Sequence, residues 1–178
     1  MGFNGGYDRG GQNRGFDHGG QNRSFDRGGQ RQNLNNTRNE FNNAQRDNFE
    51  FPETYLKFGY NKESGEFNPT YLTTLAERIG KELSMDGTTG KSKIRSYYDQ
   101  VESLVTRLSS GALTEEQAKK QLTMLAPRVA DRFNKGTASV VFKKFIEKNV
   151  AYLNKTENFK ADLYSFKLHF EAVVCYTN

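Results

Sequence analysis

An all-α fold, a compact bundle of about five helices behind a disordered low-complexity N-terminal tail, is what the sequence predicts, and three observations predict it. From about residue 69 onward, apolar residues recur at three- and four-residue spacing. Cap and stop residues punctuate that pattern at helix-length intervals. Residues 1–50, in contrast, hold only three aliphatic side chains, Met1, Leu34 and Ala44, too few to offset the entropy of ordering a chain. The predicted organisation is a tail over 1–50, a short connector over 51–68 and a helical domain over 69–178.

The tail is repetitive. "YDRGGQNRG", "FDHGGQNRS" and "FDRGGQRQN" begin at Tyr7, Phe16 and Phe25, a nine-residue period. A calcium-binding β-roll has that period, but its third glycine is missing here and each Asp follows an aromatic residue on the wrong side. The composition is similar to that of Arg/Gly/aromatic RNA-binding tails. Seven arginines face six acids, so stacking and guanidinium hydrogen bonds would outweigh net charge in any such contact. A passive solubilising tail is the alternative.

In the body, Asn68-Pro69 reads as a cap and a first-turn proline, ahead of an apolar face of Leu72, Leu75, Ala76, Ile79 and Leu83. A second helix carries Ile94, Tyr97, Tyr98, Val101, Leu104, Val105 and Leu108 and stops at Gly111. Thr114 with Gln117 makes a capping box for a third, with Ala118, Leu122 and Leu125 inward, and Pro127 either kinks it or starts a new segment. Val141, Phe142, Phe145, Ile146 and Val150 define a fourth. Thr156 is the predicted cap of a fifth, which buries Phe159, Leu163, Phe166, Phe170, Val173 and Val174.

Composition narrows the function. The chain carries a formal net charge of +5 and a sequence pI near 9.2, compatible with a polyanionic partner. Cys175 is the only cysteine, so neither an intrachain disulfide nor a cysteine-based zinc site is available. The start, "MGFNGGYDRGG", has no apolar run of a signal peptide, Gly6 stands where myristoylation wants Ser or Thr, and no stretch is long enough to span a membrane. A cytoplasmic protein is expected. His18 and His169 are too far apart to form a cluster, and the carboxylates are scattered at helix-surface spacings, so the sequence offers no catalytic site, cofactor site or metal site. His169 reads as a surface or interface residue and Cys175 as a packed thiol.

"GKS" at residues 90–92 resembles the end of a phosphate-binding loop of the form G-x-x-x-x-G-K-[ST]. Met85 stands where the first glycine belongs, and the approach "LAERIGKELSM" has helical spacing, not that of a buried strand. A nucleotide-dependent enzyme acting through Lys91 is therefore disfavoured. Thr88, Thr89 and Ser92 remain cap candidates at a helix start, with Lys91, Lys93 and Arg95 pointing largely to solvent. Between residues 85 and 144, eleven Lys and Arg oppose six Asp and Glu. Either a stripe for nucleic-acid phosphates or an ordinary solvated face accounts for that excess.

Four segments together carry a family resemblance: "YLTTLAERIGKEL", "TTGKSKIRSYYDQVESL", "LAPRVADRFNKG" and "FKLHFEAVVCYTN". In this order and spacing, over roughly residues 69–178, the chain resembles the small helical subunit of type III-A (Csm) CRISPR–Cas effector complexes. The family pattern T-T-S-[QK]-[IL]-R is interrupted here by Gly90 and Lys91, and the repetitive tail lies outside it. The resemblance implies a non-enzymatic subunit that self-associates along the complex, contacts the other subunits, and supports guide RNA and target RNA through their sugar–phosphate backbones. It implies RNA contacts at Lys93 and Arg95 of "SKIR" and at Arg132 of "VADR". Charge and spacing alone add Lys91, Arg128 and Lys135. A helical protein-interaction scaffold with a condensation-prone tail is the competing reading.

Overall fold

A computed structural model describes residues 1–2 and 49–177. The repeat tail, but for its ends, lies outside the described residues. Those residues contain one short strand, β1 (Lys57–Tyr60), a 3₁₀ turn (Pro69–Tyr71), and six α-helices. The helices are α1 (Thr74–Asp86), α2 (Lys91–Ser109), α3 (Glu115–Thr123), α4 (Leu125–Asn134), α5 (Val140–Leu153) and α6 (Phe159–Tyr176). The all-α class holds; "about five" becomes six because the third predicted helix divides at Met124. Pro127 falls in the first turn of α4, where its missing N–H costs nothing.

The predicted faces are the buried ones. On α2, Ile94, Tyr97, Tyr98, Val101, Leu104 and Leu108 face inward; on α5 the buried set is Val141, Phe142, Phe145, Ile146 and Val150, joined by Asn149 and Leu153. Helix α6 buries its six predicted residues together with Asp162 and His169. It is the central element, with α1 and α2 packed along it. Gly80 of α1 makes that approach possible, since a Cβ there would lie 2.6 Å from the Tyr176 Cβ and 2.9 Å from the Val173 carbonyl oxygen. Rings of Tyr98, Phe142, Phe145, Phe166 and Phe170 interlock edge-to-face, tilted or stacked through the middle.

Local signals differ in how they are realised. The Thr114/Gln117 capping box forms in full, and Gly87 and Gly111 take left-handed conformations beyond α1 and α2. Asn68 and Pro69 cap the 3₁₀ turn, and α1 proper starts at Thr74. No side chain caps α2. Gly90 takes that position, and Thr89, a predicted cap, instead accepts a buried 2.7 Å hydrogen bond from the Ser139 backbone N–H. Thr156 likewise does not cap α6; its hydroxyl donates to the Asp162 carboxylate.

The stretch read as a connector, together with Phe49 at the end of the predicted tail, is built into the core. Phe49, Phe51, Tyr55 and Tyr60 are all buried. Arg78 and Lys144 donate to the backbone carbonyls of Glu50 and Phe49 at 3.1 and 3.0 Å, fixing the chain as it enters. Two placements predicted from local context are overturned. His169 is fully buried, because it shares the inner face of α6 with Phe166 and Phe170. Cys175 is exposed, because Val173 and Val174 turn inward just before it and the helix carries the next residue outward.

Candidate nucleic-acid interface

The groove begins with how α2 and α4 bury themselves. Ile94, Tyr97 and Val101 turn into the core, leaving Lys93, Ser96 and Gln100 on the flank of α2 that meets α4. Leu125 and Val129 anchor α4, leaving Arg128, Arg132 and Lys135 on its outer side. Between these flanks lies an open groove of about 790 Å³ lined by Lys93, Arg128, Arg132 and Lys135, with Asp131 as its one carboxylate. Four of the six predicted site residues are brought together.

The other two are not. Each residue advances 100° around a helix, so Arg95 points some 200° away from Lys93 and Lys91 the same angle in the other sense. Both are exposed on α2 outside the groove lining. The wider charge excess is also divided among faces. Lys119 lies over the Phe159 ring, Lys143 over the Phe133 ring, and Lys144 holds the Phe49 carbonyl.

Within the groove the cations are lightly engaged. Arg128 donates to Gln100 Oε1 at 3.0 Å, and the Lys93 ammonium reaches the Thr137 carbonyl only at 3.5 Å. Lys135 pairs with Asp131 at 2.8 Å, but both side chains are mostly solvent-exposed, so the pair holds them weakly. Arg132 forms no ion pair among the described residues. Its guanidinium lies beside the Tyr97 hydroxyl, which burial pushes above the usual phenol range and which Arg132 pulls partly back.

A second groove, of about 700 Å³, shares Ser96, Gln100, Met124 and Arg128 with the first and continues to Arg107 and Lys120. Together they form one trough beside α2, whose 19 residues extend about 28 Å. Met124, half-exposed at the α3–α4 break, stands where the two parts meet. Sequence reasoning placed Tyr97 in the core without its hydroxyl, counted Arg107 only within the regional charge excess, and passed over Gln100 and Met124. Polar residues bordering the apolar stripe of α2 were the available signal for Gln100; nothing local marked Met124.

Gly90-Lys91-Ser92 follows helix α1 and a short loop rather than a strand, so it lacks the scaffold of a phosphate-binding NTPase loop. Among the described residues no group of three or more His, Cys, Asp or Glu side chains is placed to hold a metal ion, and no helix is long and apolar enough to cross a membrane.

No curated protein and no solved structure matches the chain. The family model described as Csm2 Type III-A matches residues 66–178. That span contains all six helices and the entire trough, and the chain accordingly belongs to the Csm2 Type III-A family, the small subunit of type III-A Csm complexes.

Proposed function

We propose that the chain is a non-catalytic small subunit of a CRISPR type III-A RNA-guided effector complex, and that the α2–α4 groove holds the sugar–phosphate backbone of guide or target RNA. One observation carries this reading: four cations line a single groove against one carboxylate. A flexible phosphate strand suits such an open, basic, weakly internally paired channel, and contacts of this kind are blind to base sequence. Family membership supports the remaining parts of the reading: copies self-associating along the complex, docking on its other subunits, and leaving RNA cleavage to them.

The test is binding of a labelled single-stranded RNA by fluorescence anisotropy across a salt series. Arg128→Gln with Arg132→Gln is expected to weaken binding at least tenfold and to flatten the slope of log K against log salt by about 0.7 for each phosphate no longer neutralised. The RNA should remain intact throughout. An unchanged Kd and slope in a variant with wild-type helicity would refute the groove as the RNA site.

A further inference from the structure

Tyr97 carries a feature that packing does not explain. Its side chain is 4% exposed, and its hydroxyl is the one buried side-chain polar atom among the described residues that makes no hydrogen bond of normal geometry; the Arg132 guanidinium beside it can offer only a donor, leaving the O–H without an acceptor. The ring itself is well used, edge-on to Phe142 at 5.1 Å. Phenylalanine would keep that packing and avoid the penalty of a buried, unsatisfied O–H. Tyr98, the next residue, shows the ordinary solution, with its hydroxyl donating to Glu102 at 3.0 Å.

The position of the orphan hydroxyl is informative. Tyr97 lines the groove, and the charged groups acting on its hydroxyl are Arg132 and Arg128, with Asp131 the one acid among them and not hydrogen-bonded to it. Guanidinium and ammonium groups only donate hydrogen bonds, so neither they nor Lys93 gives the phenol O–H an acceptor. The ligand that satisfies all of these groups at once is acceptor-only and negatively charged, which describes the non-bridging oxygens of a phosphodiester. Both arginines are exposed, and contact with the hydroxyl requires them to swing onto an arriving strand, Arg128 exchanging its bond to Gln100 for one to the ligand.

Resting on the groove as the RNA site, we infer that Tyr97 is a positioning residue of that site, donating its hydroxyl hydrogen to a backbone phosphate oxygen held by Arg128 and Arg132. The basic residues draw the strand in from a distance. The phenol, fixed by the core, sets the depth and register at which one phosphate comes to rest. Since the hydrogen bond is to phosphate, it does not distinguish ribose from deoxyribose.

Tyr97→Phe in the full chain tests this, with single-stranded RNA and DNA of one sequence as probes. The expected result has three parts. Affinity for both probes falls about tenfold, the loss of one hydrogen bond to a charged group. The salt slope is unchanged, because no cation is removed. The thermal midpoint is unchanged or higher, because an unsatisfied buried group has gone. A Kd within twofold of wild type overturns the inference, as does a lowered midpoint, which would show that the hydroxyl supports the free fold. A weakening confined to RNA would assign the hydroxyl to a ribose 2′-OH and overturn the phosphate assignment. If the double arginine variant weakens binding and Tyr97→Phe does not, only the Tyr97 inference falls; if neither does, the groove falls with it.

Discussion

Acidification should destabilise this chain through His169, and the size of the effect follows from its surroundings. The imidazole is enclosed by the rings of Tyr55, Tyr60, Tyr71 and Phe145 and has no exposed surface. Its Nδ1–H donates to the Tyr71 carbonyl, and its Nε2 accepts from the Tyr55 hydroxyl at 3.1 Å. That hydroxyl accepts from Asn149 Nδ2 at 2.8 Å, and Asn149 Oδ1 accepts from the Tyr60 hydroxyl at 2.7 Å. The donor and acceptor directions close consistently for the neutral ring; a proton on Nε2 would oppose the Tyr55 O–H. Burial lowers the pKa from 6.5 to about 4, only partly countered by the Tyr71 carbonyl.

Between those two values the unfolded chain binds a proton that the folded chain refuses. Stability therefore rises with pH across the window: the contribution of His169 is complete above pH 6.5 and is lost as pH falls toward 4. A shift of this size corresponds to about 3 kcal/mol, a large part of a typical domain's total of about 5–15 kcal/mol. Urea unfolding followed by far-UV circular dichroism at a series of pH values measures it. Wild type should take up about 0.9 more protons on unfolding near pH 5 than His169→Phe does. Proton uptake equal in the two proteins would show that the ring is accessible or already charged in the fold, and the argument from burial would fail.

Two other substitutions probe the packing on either side of α6. Asn149→Ala removes the hydrogen bonds to Tyr55, Tyr60 and the Phe145 carbonyl and strands the Tyr60 hydroxyl; it should cost about 3 kcal/mol and lower the thermal midpoint by roughly 10 °C, read by calorimetry. Gly80→Ala gains about 1 kcal/mol of helix propensity but drives a methyl into the backbone of α6; a net loss of about 1–2 kcal/mol in urea titration is expected, and a net gain would mean that α1 and α6 have room to separate.

What was legible in the sequence follows the range of the forces involved. Faces of α2, α5 and α6 are written in three- and four-residue spacings that depend on nothing beyond the helix itself, and the Thr114/Gln117 box acts over one turn. The stretch from Phe49 to Tyr71 has no period to read. Tyr55 and Tyr60 are core because partners 89 to 114 residues away, Asn149 and His169, supply acceptors and donors for their hydroxyls. His169 carried a usable signal that was passed over: it lies three residues from Phe166 and next to Phe170, so any helix that buries both rings buries the imidazole with them.

The candidate site divides in the same way. Counting charges along the chain gives the sign of a region but not its face, which is why "SKIR" reads as one basic cluster and folds as two. Lys93 joins Arg128 and Arg132 only because Leu125 and Val129 turn α4 toward that flank of α2. Tyr97 serves two levels at once: its ring is dictated by the apolar stripe, while its hydroxyl has meaning only against a helix some 30 residues later. A groove whose walls are set by core packing and whose floor holds an unsatisfied donor is more specific than a charged surface. Cations on mobile side chains can follow a strand anywhere along α2, but a donor fixed by the core can meet a phosphate at one depth only, so the register of a bound strand would be decided at Tyr97 rather than by the surrounding charge.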